Sequence, residues 1–524
     1  MHFRKTGRKE PIMRRTGLIL IILFSASILM AKNSITVHAD SAEITISRHI
    51  YGHFAEHISR VIYDGLYVGE ENTEIPHTNG VRNDVIEALK KLSIPNLRWP
   101  GGCFADTYHW KEAIGPKDER IPIENLSWGN YREDNSFGTH EFLNLCELLG
   151  AEPYLAVNMN TGTVREAVEW VQYTNHANGT SHLTDLREKH GRSKPWRVTY
   201  WGIGNESWDC GGHMSVDYYV NLYKRYATAM TTYFNTEKLF RIAVGPGFPD
   251  YNWTETLMKN IPERRFEGVS IHHYAVNWDH RSSSYDFTRE EYFTTMDKAW
   301  FMEEFITNNC EVMDRYDPQK RVALIVDEWG GWYDSDPRGN GALYQQNTIR
   351  DAMIAGLTLN IFNNHADRVR MANLAQMVNA LQSVILTRDE QMILTPTYHV
   401  MEMYKVHQNA LLAPVQVVSE DFVMDDKKLQ AVSVSASINP SDQLHISLTN
   451  IDDTNSQEVS ILLKGYQARQ VTGRILTSAK VQDHNTFDHP SKVVPDRFHD
   501  MTLSGDQLTV RMPAHSVIVL ELNK

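Results

Sequence analysis

Between Ile50 and Leu374 the sequence alternates eight times between a short apolar, strand-like run and, in most cases, a helical segment. The strand-like runs are Ile50–Phe54, Asn96–Trp99, Pro153–Val157, Val198–Ile203, Ile242–Val244, Gly268–His272, Val322–Asp327 and Val369–Leu374. Among the helical segments, Val81–Leu92 sets Val85, Ile86, Leu89 and Leu92 on one face. A second carries Phe142, Leu145, Cys146 and Leu149 between a capping Thr139 and Gly150, and Asp217–Phe234 and Leu343–Phe362 are longer. Apolar strands that alternate with helices build a parallel sheet covered on both faces. Eight units over about 350 residues predict an α/β fold of the (β/α)8 TIM-barrel type. A doubly wound open sheet is the alternative, but no Gly-rich dinucleotide fingerprint supports it.

After about Thr395 the pattern changes to strands alone. Leu429–Ser437, Gln443–Thr449, Val459–Leu463, Val471–Leu476, Gln507–Met512 and Ser516–Leu522 alternate or run apolar between polar turns. This predicts a C-terminal all-β sandwich, jelly-roll-like, over residues 396–524, with the barrel over 49–395. The alternating stretch within 32–48 is expected to pair with the sandwich. Residues 1–31 hold six basic residues and one acid ahead of the apolar run Gly17–Ala31. That order predicts a signal peptide, started from Met1 or Met13 and cut near Ala31, and an exported periplasmic or extracellular protein with no membrane attachment after cleavage. The remaining 493 residues then carry a net charge of −18. An acidic chain without a further basic block is not expected to bind nucleic acid. The four cysteines form no CxxC pair, and no ligand cluster of the usual spacing predicts a metal or other cofactor.

In a (β/α)8 barrel, chemistry sits at the C-terminal ends of the strands. The polar residues there are Glu56, Arg98, Asn158, Asn160, Asn205, Glu206, His272, His273, Tyr274, Asp327, Glu328 and Gln376. Glu206 and Glu328 end strands 4 and 7, nearly opposite each other. Such a pair suits glycoside hydrolysis, where one carboxyl gives a proton to the leaving oxygen and the other attacks or activates water.

The motifs Gly52-His53-Phe54-Ala55-Glu56-His57, Leu97-Arg98-Trp99-Pro100-Gly101-Gly102, Gly204-Asn205-Glu206, Ser270-Ile271-His272-His273-Tyr274, Val326-Asp327-Glu328-Trp329 and Asn373-Leu374-Ala375-Gln376 occur in one order. In them the chain resembles the α-L-arabinofuranosidases of glycoside hydrolase family 51, retaining enzymes of clan A. The resemblance runs from about Ile50 to Tyr404. It implies an exo-acting α-L-arabinofuranosidase (EC 3.2.1.55) that releases terminal arabinofuranose from arabinoxylan, arabinan and their oligosaccharides. It makes Glu206 the acid/base and Glu328 the nucleophile. Glu56, Asn205 and Gln376 would hold furanose hydroxyls, Arg98 would brace the carboxylates, Tyr274 would bond the nucleophile, and His272 would support that network. Trp208 and Trp329 are candidates to stack on substrate. Cys103 stands where many members carry a sugar-binding Asn and others carry Cys. Cys210, near the same rim, is expected to approach it, as a free thiol or as a bridge. Relatives assemble as hexamers, so a homo-oligomer is implied. Some relatives are endo-β-1,4-glucanases or xylanases, which is the alternative activity, and a glycan-binding protein without catalysis is the alternative of a different class.

Overall fold

Eight parallel strands close on themselves in the computed structural model, which describes residues 1–2, 33–232, 238–339 and 341–524. They are β1 (Gly52–Phe54), β2 (Asn96–Trp99), β3 (Glu152–Val157), β4 (Tyr200–Ile203), β5 (Phe240–Ala243), β6 (Gly268–Ala275), β7 (Ala323–Gly331) and β8 (Val369–Leu374). Each pairs with its neighbours in chain order, and β8 returns to β1. The expected signal segment falls almost wholly outside the described residues, as does the expected end of the helix at Phe234. Among the described residues no helix is long and apolar enough to cross a membrane.

Two helices start later than their periodicity suggests, for local reasons. Residues Val81–Arg82 pair with His77–Thr78, so the first helix begins at Asn83. The helix expected from Leu343 begins at Ile349, where Thr348 and Asp351 form a reciprocal capping box. This helix, Ile349–Asn364, is buried along 15 of its 16 residues, which places it between two layers rather than on a surface. One layer is the barrel. The other is the sandwich sheet, whose Ser433 and Ser435 bond Asn360, and Ser435 also bonds Asn363. Gly356 makes the close approach possible, since a Cβ there would lie 2.5 Å from Thr449 Oγ1.

The sandwich has a five-stranded and a seven-stranded sheet. The N-terminal strand Asn33–His38 lies inside the five-stranded sheet, antiparallel to Val415–Val418 and parallel to Gln457–Lys464, with Ile35 and Val37 turned into the core. Residues 33–524 therefore pack as one unit, in which sequence-distant segments clamp the barrel to the sandwich.

Candidate active site

The C-terminal mouth of the barrel holds a cavity of about 780 Å3. Its walls include Glu56, Cys103, Glu206, His272, Tyr274 and Glu328. The geometry begins with an irregularity in β7. Register with β6 slips between Ser270–Ile325 and His272–Glu328, and register with β8 slips between Val326 and Trp329. A bulge of this kind breaks the in–out alternation of a strand. Two successive carboxylates, Asp327 and Glu328, consequently both point into the barrel.

Arg98 on β2 organises them. Its Nη1 donates to Glu328 Oε1 at 2.8 Å, its Nη2 donates to Asn205 Oδ1 at 2.7 Å, and its Nε lies 3.6 Å from Asp327 Oδ2. Arg98 is 1% exposed and its guanidinium sits 4.4 Å over the Phe54 ring, so the charge is desolvated and committed to these partners. Tyr274 donates its hydroxyl to Glu328 Oε2 at 2.8 Å. Burial, and then the Glu328 charge, hold that phenol well above its ordinary pKa, so it stays a donor. Tyr154 donates in the same way to Asp327 Oδ2 at 2.7 Å.

His272 bridges the two carboxylate strands. Its Nδ1 donates to Glu206 Oε1 at 2.8 Å and its Nε2 lies 3.1 Å from Asp327 Oδ1. Burial works against the imidazolium, but the Glu328 and Asp327 charges and the bonds to Asp327 and Glu206 outweigh it and raise His272 to about 10. Glu206 is raised above the usual carboxylate range, first by burial and then by the nearby Glu328 charge, against the lowering bond from His272. One ligand atom each from Glu206, His272 and Glu328 lie within 4.8 Å of one another. The three could crowd a cation, but an imidazole held protonated with both nitrogens engaged has no lone pair to offer one. His273 points the other way, bonding the Lys298 carbonyl. Burial lowers it to about 4. The two histidines are therefore not a pair bonded to one another.

Glu56 lies two residues past β1 and is 3% exposed. Its Oε1 accepts the Gly102 N–H and the Trp128 Nε1–H, each at 2.9 Å, and its Oε2 accepts Gln376 Nε2 at 2.9 Å. Burial, then the Glu328 charge, raise it to about 7. Gln376 and Asn205 are each 1% exposed, and they act on Glu56 and Arg98 from behind the cavity wall. Pro100-Gly101-Gly102 brings backbone against carboxylates. A Cβ on Gly102 would lie 2.8 Å from Glu328 Oε1.

Several expected sugar binders have other duties. Cys103 is joined to Cys210 in a disulfide, whose Cys210 Sγ lies 3.5 Å from Glu206 Oε2, so Cys103 offers no thiol proton to a sugar. Trp329 is wholly buried, edge-on to Phe362 of the Ile349–Asn364 helix. Beyond the bulge the strand resumes its alternation and turns Trp329 away from the cavity, so it cannot stack on substrate. Trp208 does line the cavity, with its Nε1 donating to the Gly245 carbonyl. Asn158 closes the turn after β3 by accepting the Thr161 and Gly162 N–H groups. Two functional positions carried no signal in the sequence. Asp106 is fully buried and accepts the N–H groups of Met159, Asn160 and Asn205, tying the ends of β3 and β4 together. Burial raises it to about 7. Trp128 reaches the site from a hairpin inside a stretch that shows neither periodicity.

A closed (β/α)8 barrel with two close carboxyls at the ends of β4 and β7 is the architecture of a glycoside hydrolase. The chain matches the models of the alpha-L-arabinofuranosidase 1 domain over residues 88–291 and of the alpha-L-arabinofuranosidase C-terminal domain over residues 327–516. A Bacteroides ovatus protein named intracellular exo-alpha-L-arabinofuranosidase is 47% identical, over 97% of this chain and 100% of its own length. The crystal structure of the family 51 arabinofuranosidase from Xanthomonas axonopodis pv. citri superposes with a TM-score of 0.91 at 42% identity, covering 94% of this chain and 99% of that one. The Thermotoga maritima α-L-arabinofuranosidase, solved as an arabinose complex, gives 0.81 at 31% identity, covering 93% and 99%. The chain belongs to glycoside hydrolase family 51, the α-L-arabinofuranosidases.

The comparison corrects one expectation. Export to the periplasm or the medium does not stand, because the Bacteroides ovatus relative, matched over its full length, is named intracellular. A basic stretch ahead of an apolar one is a pattern of composition that does not by itself specify export.

Proposed function

We propose that the protein is a retaining exo-α-L-arabinofuranosidase that releases terminal arabinofuranose from arabinoxylan, arabinan and derived oligosaccharides, with Glu328 as nucleophile and Glu206 as acid/base. The observation that carries this is the Glu206–Glu328 approach within 4.8 Å, close to the spacing of about 5 Å that leaves no room for an attacking water between the carboxyls. Their surroundings divide the roles. Glu328 accepts hydrogen bonds from Arg98 and Tyr274, one on each oxygen, which hold its carboxyl in place to attack. Glu206, with its raised pKa, keeps a proton to give.

In the first step a Glu328 oxygen forms a bond to the anomeric carbon as the bond from that carbon to the leaving oxygen breaks. Glu206 gives its proton to that oxygen. Glu206, now a carboxylate, takes a proton from water, whose oxygen attacks the same carbon and expels Glu328. Two inversions leave the configuration unchanged. Glu56, held by Trp128, Gly102 and Gln376, presents its carboxyl to the furanose hydroxyls.

Hydrolysis of 4-nitrophenyl α-L-arabinofuranoside followed by proton NMR tests the reading. The α-anomer of arabinose is expected first, with the β-anomer growing in only by mutarotation. First release of the β-anomer would overturn the double displacement. A second result is expected for Gly102→Ala. Its Cβ would push Glu328 out of the grip of Arg98 and Tyr274, and kcat/KM should fall ~10^2-fold or more, the scale of a 1 Å misplacement. An activity within twofold of the wild type would show that the backbone there has room to spare.

A further inference from the structure

The catalytic cavity has a thin wall. Trp128 lines it, and the same Trp128 lines a second cavity of about 670 Å3. This tryptophan stands on the tip of the hairpin Ile123–Asn125/Tyr131–Glu133. The hairpin is anchored from beneath. Asn125 Nδ2 donates to the His57 carbonyl at 2.7 Å and to Glu133 Oε1 at 3.0 Å, and its Oδ1 accepts the Trp128 N–H at 3.1 Å. His57 Nδ1 meets Glu133 Oε2 at 3.0 Å with both side chains fully buried. The Trp128 indole N–H is spent on Glu56. Its position is thus set from the backbone side and from the ring side.

The leaving group must depart on the Glu206 side, where Trp208 and the exposed Phe248 line the way out. The non-reducing side of a furanose held between Glu328 and Glu56 then faces Trp128. Behind Trp128 lies not packed core but the second cavity, walled by Tyr63, Tyr67 and Tyr131 and by the charged Arg60, Asp64 and Asp134. Aromatic faces beside charged hydrogen-bonding groups are the chemistry that receives a sugar ring.

We propose that Trp128 is the specificity-determining residue that confines cleavage to the terminal sugar, and that the cavity behind it is a site for the next arabinofuranose on the non-reducing side, shut off while the indole is in place. Exo action here depends on one side chain and not on a lack of space. The inference rests on the arabinofuranosidase reading, and wild-type turnover of 4-nitrophenyl α-L-arabinofuranoside tests that reading separately.

The experiment is digestion of linear α-1,5-arabinan by Trp128→Gly, with products separated by anion-exchange chromatography. Wild-type enzyme should release arabinose alone. The variant should release arabinobiose and longer oligosaccharides as at least a tenth of the sugar freed. Trp128→Phe keeps a wall but loses the bond to Glu56, and should release arabinose alone at a reduced rate. Arabinose alone from a Trp128→Gly enzyme that still cleaves the nitrophenyl glycoside would overturn the proposal. Calorimetry with arabinotriose in a Glu328→Gln background reads the cavity without turnover. Adding Trp128→Gly should tighten binding about tenfold, and Tyr131→Ala should remove the gain. No tightening in a folded double variant would also overturn it.

Discussion

Glu328→Ala is expected to abolish hydrolysis, lowering kcat/KM by on the order of 10^4-fold or more, the scale on which loss of a covalent nucleophile acts. That corresponds to about 5 kcal/mol of transition-state stabilisation. No other carboxylate can take over. Asp327 is turned to Arg98, His272 and Tyr154, and its pKa, which burial alone would raise, is held low by the Arg98 and His272 charges. Glu56 is fixed by three donors on the β1 side. The alanine variant also strands the Tyr274 hydroxyl and leaves Arg98 Nη1 only the Asp327 carbonyl, so some loss of stability is expected. Glu328→Gln separates the two effects, because the amide keeps a carbonyl for Arg98 but cannot form a glycosyl ester. It should fold like the wild type and be equally inactive. Initial rates on an aryl arabinofuranoside together with thermal melting check this. A Glu328→Gln enzyme within tenfold of wild type would remove Glu328 from the nucleophile role.

The sequence announces the barrel because buried parallel strands are apolar throughout and the helices between them keep a 3.6-residue period. Strand ends then locate Glu56, Arg98, Glu206, His272, Tyr274 and Glu328 by topology alone. What alternation cannot show is its own interruption. A bulge lets Asp327 and Glu328 face the same way, and it is equally the reason that Trp329 is lost to the core. Nor does periodicity reach Asp106 or Trp128. Both sit in the long connection after β2, where 3-10 turns and a short hairpin replace regular elements, and both act through contacts distant in the chain. The Cys103–Cys210 bridge spans 107 residues and depends on two strand ends meeting at one rim.

The same rim sets one electrostatic condition on catalysis. Four acids, Glu56, Glu206, Asp327 and Glu328, converge around two cations, Arg98 and His272. Buried carboxyls in such excess do not all ionise together. Arg98 sits against Asp327 and Glu328, and His272 lies between Asp327 and Glu206, while burial and the Glu328 charge leave Glu206 and Glu56 with raised pKa values. With the roles proposed for them, proton storage falls on the acid that would give the proton and on the residue that would meet the sugar hydroxyls.

Glu206→Ala should therefore behave differently from the nucleophile variants, and the difference lies in the leaving group and in pH. In the proposed role of general acid, Glu206 works while protonated, so wild-type kcat/KM should fall as pH rises through its raised pKa. The variant lacks this group, and its alkaline limb should flatten. With an unactivated arabino-oligosaccharide, which needs the proton, kcat/KM should drop ~10^3-fold, within the range of about 10^2 to 10^4 for general acid–base catalysis. With a 2,4-dinitrophenyl glycoside, whose leaving group departs without help, formation of the glycosyl-enzyme should survive and its hydrolysis should become rate-limiting. The glycosyl-enzyme should then accumulate as a burst. Azide needs no deprotonation. It should attack the anomeric carbon, displace the Glu328 carboxylate, restore turnover and yield an arabinofuranosyl azide of the same configuration as the substrate. Steady-state kinetics with and without azide, and NMR of the azide product, make the measurement. An azide product of inverted configuration would mean that no glycosyl-enzyme forms. A retained azide from the Glu328→Ala enzyme, with an inverted one from Glu206→Ala, would exchange the two roles, because an anion that replaces a missing nucleophile gives the inverted azide directly.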